Sequence, residues 1–251
     1  MNQLERPDGE TIAYQHQPGT APGILFCAGF NSNMQGDKAL ALAAWCREQG
    51  RQYTRFDYFG HGDSSGRFQD GTIGRWCDDT LAVLDQVTQG PQVIVGSSMG
   101  GWMMLLAALA RPDKVLGLLG VAAAPDFTEG LRGEALNAAQ RQQLASDGYF
   151  EIDNCYDEGA PYCIGGQLPE EAGQHLLLTR ETLPVAVPVR LIHGQCDADV
   201  PWQNALKLAA KLAGDDVEVQ LVKGGEHRLS TAADLRRLVR TLEALLEDLG
   251  V

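Results

Sequence analysis

Residues 92–110 constrain this chain more than any other stretch. QVIVG, at 92–96, is a β-branched run with the pattern of a buried strand. MGGWMMLLAALA, at 99–110, is an Ala/Leu/Met-rich run with the composition of a buried helix. Between them Gly96-Ser97-Ser98-Met99-Gly100 matches G-x-S-x-G. A strand that becomes a helix within so few residues strains the backbone at Ser98 and leaves no room for flanking side chains. Gly96, Gly100 and Gly101 supply that room. The Ser98 hydroxyl is then expected to stand above the sheet, over a helix N-terminus that favours negative charge. The five-residue pattern alone arises easily by chance, and in a plain glycine-rich turn Ser98 would only cap the helix. The strand before it and the helix after it distinguish the two. Ser97 is expected to be structural.

The rest of the chain supplies alternating strands and helices around that turn. Strands are expected at 10–17 (an edge strand), 23–28, 52–57, 92–96, 115–123, 188–193 and 217–222. Helices are expected at 36–49, about 76–87, from Met99 onward and 202–213. A last helix carries Leu235, Leu238, Leu242, Leu245, Leu246 and Leu249 on one apolar face. This alternation predicts an α/β fold, with a mostly parallel sheet covered by helices on both faces. At 251 residues the chain is long enough for one such domain, 1–251. About 125–183 breaks the rhythm between two core strands. It contains helix-like pieces such as 134–145 and is expected to be a small cap insertion over the carboxyl ends of the strands, where open α/β sheets bind ligands.

A serine hydroxyl is a poor nucleophile at neutral pH. It needs an imidazole to take its proton and a carboxylate to hold that imidazole. In this setting the G-x-S-x-G turn resembles that of the α/β-hydrolase fold, which implies the chain order Ser, acid, His. Of the five histidines, His175, His193 and His227 follow Ser98. His175 falls in the expected cap, and His193 ends a strand, where a structural role is expected. His227 lies between the last strand and the last helix and is the candidate base. The candidate acid is Asp197, in the loop His193-Gly194-Gln195-Cys196-Asp197-Ala198-Asp199-Val200-Pro201, because H-G-x-x-D-x-x-V-P is an arrangement of many α/β hydrolases. Asp199 and Asp126 are the alternative acids. Cys196 is expected to fill a turn.

Acyl transfer builds negative charge on the former carbonyl oxygen, and two fixed backbone N–H groups must receive it. The candidates are Met99, after the nucleophile, and Phe30, in the loop Ala28-Gly29-Phe30-Asn31. The expected substrate pocket draws on Asn31, Phe127, Tyr149, Tyr156 and Trp202. Phe150 and Tyr162 are further cap aromatics; the other reading of all the cap aromatics is that they form the cap's own small core.

Four segments narrow the resemblance. They are Gly29-Phe30-Asn31-Ser32-Asn33-Met34, Arg55-Phe56-Asp57-Tyr58, Val95-Gly96-Ser97-Ser98-Met99-Gly100-Gly101-Trp102 and Val200-Pro201-Trp202. Together they resemble the branch that contains the mitochondrial acyl-protein thioesterase, which also cleaves acyl glucuronides, and its bacterial relatives. The likeness spans about residues 22–240 and is weakest in the cap. It implies Ser98, Asp197 and His227 as a triad, esterase or thioesterase activity on a small-molecule acyl ester or thioester, and no metal or cofactor. Carbon–carbon bond hydrolysis, peptide cleavage on the same triad and a non-catalytic ligand-binding member of the fold are the alternatives.

Composition removes other classes. The net charge of −13 disfavours nucleic acid and anionic membrane surfaces. It also leaves no visible basic cluster for a strongly anionic substrate. No apolar run reaches the ~18 residues of a membrane span. The six cysteines include no CxxC pair, so no zinc site is expected. A bridge between Cys155 and Cys163 is left open, as is a homodimer. The opening MNQLERPDGE has neither an apolar signal core nor an Arg-rich amphipathic start, so a cytoplasmic location is expected.

Overall fold

A computed structural model describes residues 1–132, 135–152 and 161–251. Among the described residues the strands are β1 (Asn2–Glu5), β2 (Thr11–Gln17), β3 (Thr20–Cys27), β4 (Arg51–Phe56), β5 (Gln92–Ser97), β6 (Val115–Val121), β7 (Tyr149–Ile152), β8 (Tyr162–Gly165), β9 (Val189–Gly194) and β10 (Val217–Val222). The α-helices among the described residues are α1 (Asp37–Glu48), α2 (Ile73–Gln86), α3 (Met99–Ala110), α4 (Ala138–Asp147), α5 (Gln167–Ala172), α6 (Gln203–Ala209) and α7 (Ala232–Asp248).

Eight strands form one sheet in the order β1-β2-β4-β3-β5-β6-β9-β10. The β1–β2 and β2–β4 pairs are antiparallel, and the pairs from β4 to β10 are parallel. Central strand β5 is buried along its whole length, as a strand covered on both faces must be. Helices α1 and α7 pack against each other, and so do α2 and α3, which gives the sheet two helical layers. Helix α7 buries Leu238, Leu242, Leu245 and Leu246, the centre of the leucine stripe in its sequence. A Thr231–Asp234 capping box starts it.

The strand at 11–17 departs from its expected edge position. Residues 2–5 form a further strand outside it, paired from Asn2↔Tyr14 to Glu5↔Thr11. Four residues with mixed polarity carry too short a period to announce a strand in sequence.

Strand β3 lies between β4 and β5, so the chain leaves it in opposite directions on its two sides. The crevice beyond the carboxyl ends of β3 and β5 is therefore a topological switch point, where α/β sheets bind ligands. The stretch between β6 and β9 holds a one-turn 3-10 segment at Phe127–Leu131, helices α4 and α5, and the separate antiparallel hairpin β7–β8. Asp126 fastens its two ends together, accepting the Leu177 and Leu178 amides at 2.8 and 2.7 Å. Among the described residues no helix is long and apolar enough to cross a membrane.

Candidate active site

Ser98 connects β5 to α3 with φ 54° and ψ −120°, outside the usual regions for a residue with a side chain. Neighbouring strands hold this strain in place. The Ser98 amide donates to Val121 O at 2.9 Å, and Ser98 O accepts from Gly101 and Ala124 at 2.8 and 3.0 Å. A Cβ on Gly96 would collide with the Gly100 backbone, and one on Gly100 with the Cys27 and Ala28 carbonyls. The two glycines let strand, turn and helix approach this closely.

Loops after β9 and β10 bring the other polar groups to the serine. A Cβ on Gly194 would collide with the Gly225 carbonyl, so these loops are in backbone contact. His227 Nε2 lies 2.9 Å from Ser98 Oγ, and His227 Nδ1 lies 2.7 Å from Asp197 Oδ2. A carboxylate can only accept, so Nδ1 carries the proton and Nε2 is left to accept from the serine hydroxyl. Asp197 Oδ1 accepts the Asp199 and Val200 amides at 2.9 and 2.8 Å. Burial alone would raise the Asp197 carboxyl. Hydrogen bonds from His193, His227 and the Val200 amide outweigh it and hold the group far below the usual carboxylate range.

Asp126, the alternative acid, is committed elsewhere, to the Leu177 and Leu178 amides. Burial raises its carboxyl against those two bonds. Asp199 is exposed and approaches Asp197 through its amide. Asp197, Asp199 and His227 also place donor atoms within 4.8 Å of one another, as a metal site would. Both Asp197 oxygens are already occupied by donors, and His227 Nδ1 donates to one of them, so this cluster is arranged for hydrogen bonding.

The Phe30 loop runs beside the nucleophile: a Cβ on Gly29 would lie 3.4 Å from Ser98 Cβ. The Phe30 ring is held edge-on by Phe68, Trp76, Phe127 and Tyr162, with centroids 4.8 to 5.8 Å away. Next to it Asn31 takes a left-handed φ of 49°. Its amide donates to His61 Nε2 at 3.2 Å, and His61 Nδ1 donates to Phe59 O at 3.0 Å. Burial pushes the His61 imidazole down to about 4, so it stays neutral and can accept. His61 lies in the Gly-rich segment GHGDSSG at 60–66, whose sequence reads only as a loop. The imidazole within it sits next to the candidate oxyanion residues, a contact that no local periodicity reports.

A cavity of about 240 Å³ opens at Ser98 and His227. Phe30, Asn31, Ser32, Asn33, Lys38 and Tyr162 contribute to its wall. Of the expected pocket residues it takes Asn31, and it takes Tyr162 from the further cap aromatics. Phe127, Tyr149 and Trp202 are not in its lining. Phe127 instead packs edge-on against Phe30 and Trp102. Tyr149 pairs with Gly165 in the β7–β8 hairpin, and Trp202 is the N-cap residue just before α6. Tyr156 and Cys155 lie outside the described residues. Lys38 was also missed in sequence. It projects from α1 to the Arg228 carbonyl and to Ser230 Oγ, just past His227.

The alpha/beta hydrolase fold family model matches residues 22–151. Mitochondrial palmitoyl-protein thioesterase ABHD10 of Bos taurus is 41% identical over 249 residues, covering 98% of this chain and 80% of the relative. The structure of alpha/beta hydrolase domain-containing protein 10 from mouse has a TM-score of 0.89 at 40% identity, covering 99% of this chain and 98% of that one. A putative hydrolase from Agrobacterium vitis S4 has a TM-score of 0.90 at 36% identity, covering 97% of both chains. The ABHD10 relatives from cattle, rat, mouse and human are all named as mitochondrial. Those names run against the expected cytoplasmic location, which is withdrawn.

Proposed function

This chain belongs to the alpha/beta hydrolase fold family, as a hydrolase of esters or thioesters, and we propose that it works by acyl transfer through Ser98. One observation carries the reading. A strained serine at a strand–helix turn lies 2.9 Å from an imidazole, which lies 2.7 Å from a carboxylate. In the first step His227 Nε2 takes the hydroxyl proton as Ser98 Oγ attacks the acyl carbonyl carbon. The amides of Met99 and Phe30 receive the developing oxyanion, aided by the N-terminus of α3. The tetrahedral species collapses as His227 gives its proton to the departing thiolate or alkoxide, which leaves an acyl-serine. Water, deprotonated by the same imidazole, then cleaves that ester and restores Ser98. Asp197 keeps the imidazole in the required tautomer and stabilises its charge.

The β6–β9 stretch serves in this reading as a cap, since Tyr162 of β8 reaches the cavity wall beside Ser98. The substrate class is an acyl thioester or ester, in keeping with the thioesterase name of the relatives. The test is hydrolysis of p-nitrophenyl esters and acyl thioesters of graded chain length by wild type and Ser98→Ala. Loss of turnover at unchanged melting temperature is expected. Full activity in Ser98→Ala rejects the mechanism, and tight ligand binding without product by wild type favours a non-catalytic member of the fold.

A further inference from the structure

We propose that His193 is a positioning residue of this site, a second imidazole that holds the same Asp197 oxygen, Oδ2, as His227 does. The inference rests on the reading of Ser98, His227 and Asp197 given above. His193 is the fifth residue of β9 and is 1% exposed. Its Nε2 lies 3.1 Å from Asp197 Oδ2 and 3.1 Å from Val200 O. Both neighbours are acceptors, so Nε2 carries the proton and shares it between them.

The other ring nitrogen explains why a histidine here is more than filler. Among the described residues His193 Nδ1 is buried without a hydrogen-bond partner. An unpaired buried polar atom is unfavourable, and a plain core position would be better filled by an apolar ring. What an apolar ring would lose is the Nε2–H donor to Asp197.

That donor acts on the reaction in two ways. It fixes the carboxylate plane, because Oδ2 is held between His193 and His227 while Oδ1 is held by the Asp199 and Val200 amides. It also lowers the basicity of Oδ2. The proton shared by His227 and Asp197 therefore stays on Nδ1 when His227 becomes an imidazolium, and the carboxylate remains charged to stabilise it.

The variants are His193→Phe, which removes the donor and the orphaned nitrogen together, and His193→Gln, which offers an amide donor in its place. The readouts are the pH profile of kcat/KM, the separate kcat and KM values, and the melting temperature. With the donor removed, Asp197 becomes more basic and pulls harder on the imidazolium. The acid limb of the Phe variant should move to higher pH by roughly half a unit to one unit. Its kcat should fall about tenfold, the scale of one hydrogen bond to a charged group, with KM little changed. The Gln variant should recover most of both losses. His227 and Asp199, the other titratable residues hydrogen-bonded to Asp197 among the described residues, are the same in all three proteins. A Phe profile that superimposes on wild type, with only the melting temperature altered, reduces His193 to a structural role.

Nitrogen-15 NMR of histidine-labelled protein gives a second reading that needs no mutation at His193 and no activity. It should find His193 protonated at Nε2 and bare at Nδ1, in wild type and in Ser98→Ala alike. A proton on Nδ1 rejects the proposal even if the variants fail to fold. Full activity in Ser98→Ala would instead reject the serine mechanism and leave the tautomer result standing.

Discussion

The His61 imidazole accepts the Asn31 amide at Nε2, 3.2 Å away, and so joins the loop after β4 to the loop that carries Phe30. Only a neutral imidazole can do this. Burial holds His61 down to about 4, against about 6.5 in the unfolded chain. A histidine whose folded value is depressed contributes stability that is complete above about pH 6.5 and lost as pH falls through about 4. The contribution is up to about 3 kcal/mol. Urea denaturation from pH 7 to pH 3.5 should therefore show a steeper loss in wild type than in His61→Gln, which keeps an acceptor oxygen but does not titrate. Equal slopes in the two proteins would remove His61 from the acid response.

Asp197 and Asp126 both follow strands at the site, and their hydrogen bonds separate their roles. Asp197→Asn should fold normally and lose about 10³- to 10⁴-fold in kcat, because the amide stabilises the wrong imidazole tautomer. Asp126→Asn should keep kcat within about threefold. Replacing one of its carboxylate acceptors with an amide nitrogen opposes a backbone donor, so it should cost about 1–3 kcal/mol of stability. Steady-state kinetics and thermal melts of the two variants check this. A reversed pattern would move the acid to Asp126.

Much of this was legible in sequence because it is local. The β-branched run, the glycines and the apolar helix surrounding Ser98 all belong to one short stretch, while the order Ser98, Asp197, His227 was what the resemblance to the α/β-hydrolase fold implied. The edge strand at Asn2–Glu5 was not legible, since its pairing with β2 is a tertiary choice that four residues cannot encode. Nor were His61, Lys38 and the contact made by His193. Each acts through a hydrogen bond whose meaning depends on which loop lies opposite, 30 residues away for His61–Asn31 and 190 for Lys38–Arg228. The aromatic pocket misled for a related reason. Phe127 belongs to the packing around Phe30, and composition does not distinguish an aromatic that lines a cavity from one that supports its wall.

The glycine at the start of α3 predicts an intolerant position. A methyl group on Gly100 would run into the Cys27 and Ala28 carbonyls, which are backbone atoms at the end of β3 and have no rotamer to change. Gly100→Ala should therefore push α3 away from the sheet and cost about 2–4 kcal/mol, more than typical overpacking because the obstacle is main chain. It should also displace Ser98 and the Phe30 loop together. Chemical denaturation and kcat are the measurements. A fully stable, fully active Ala variant would show that the turn is looser than this geometry.

Lys38 gives the remaining prediction. Its Nζ donates to the Arg228 carbonyl and, at 3.3 Å, to Ser230 Oγ, so α1 anchors the segment that follows the base. Leu229, between those partners, has a left-handed φ of 44°, a strained value for a branched side chain that its surroundings must maintain. Burial, with Arg228 nearby, brings the Lys38 ammonium down to about 8, while Asp37 and Asp234 oppose the shift. Its depressed value means that this titration favours folding most above the unfolded value of about 10.4 and loses that contribution as pH falls through about 8. The two hydrogen bonds survive deprotonation, because a neutral amine keeps two N–H donors. Lys38→Met retains the aliphatic stem and removes both bonds. It should lower kcat several-fold with a modest fall in melting temperature, and should remove the change in stability between about pH 8 and pH 10 that wild type shows. If kcat and the pH dependence both match wild type, the loop holds His227 without help from α1.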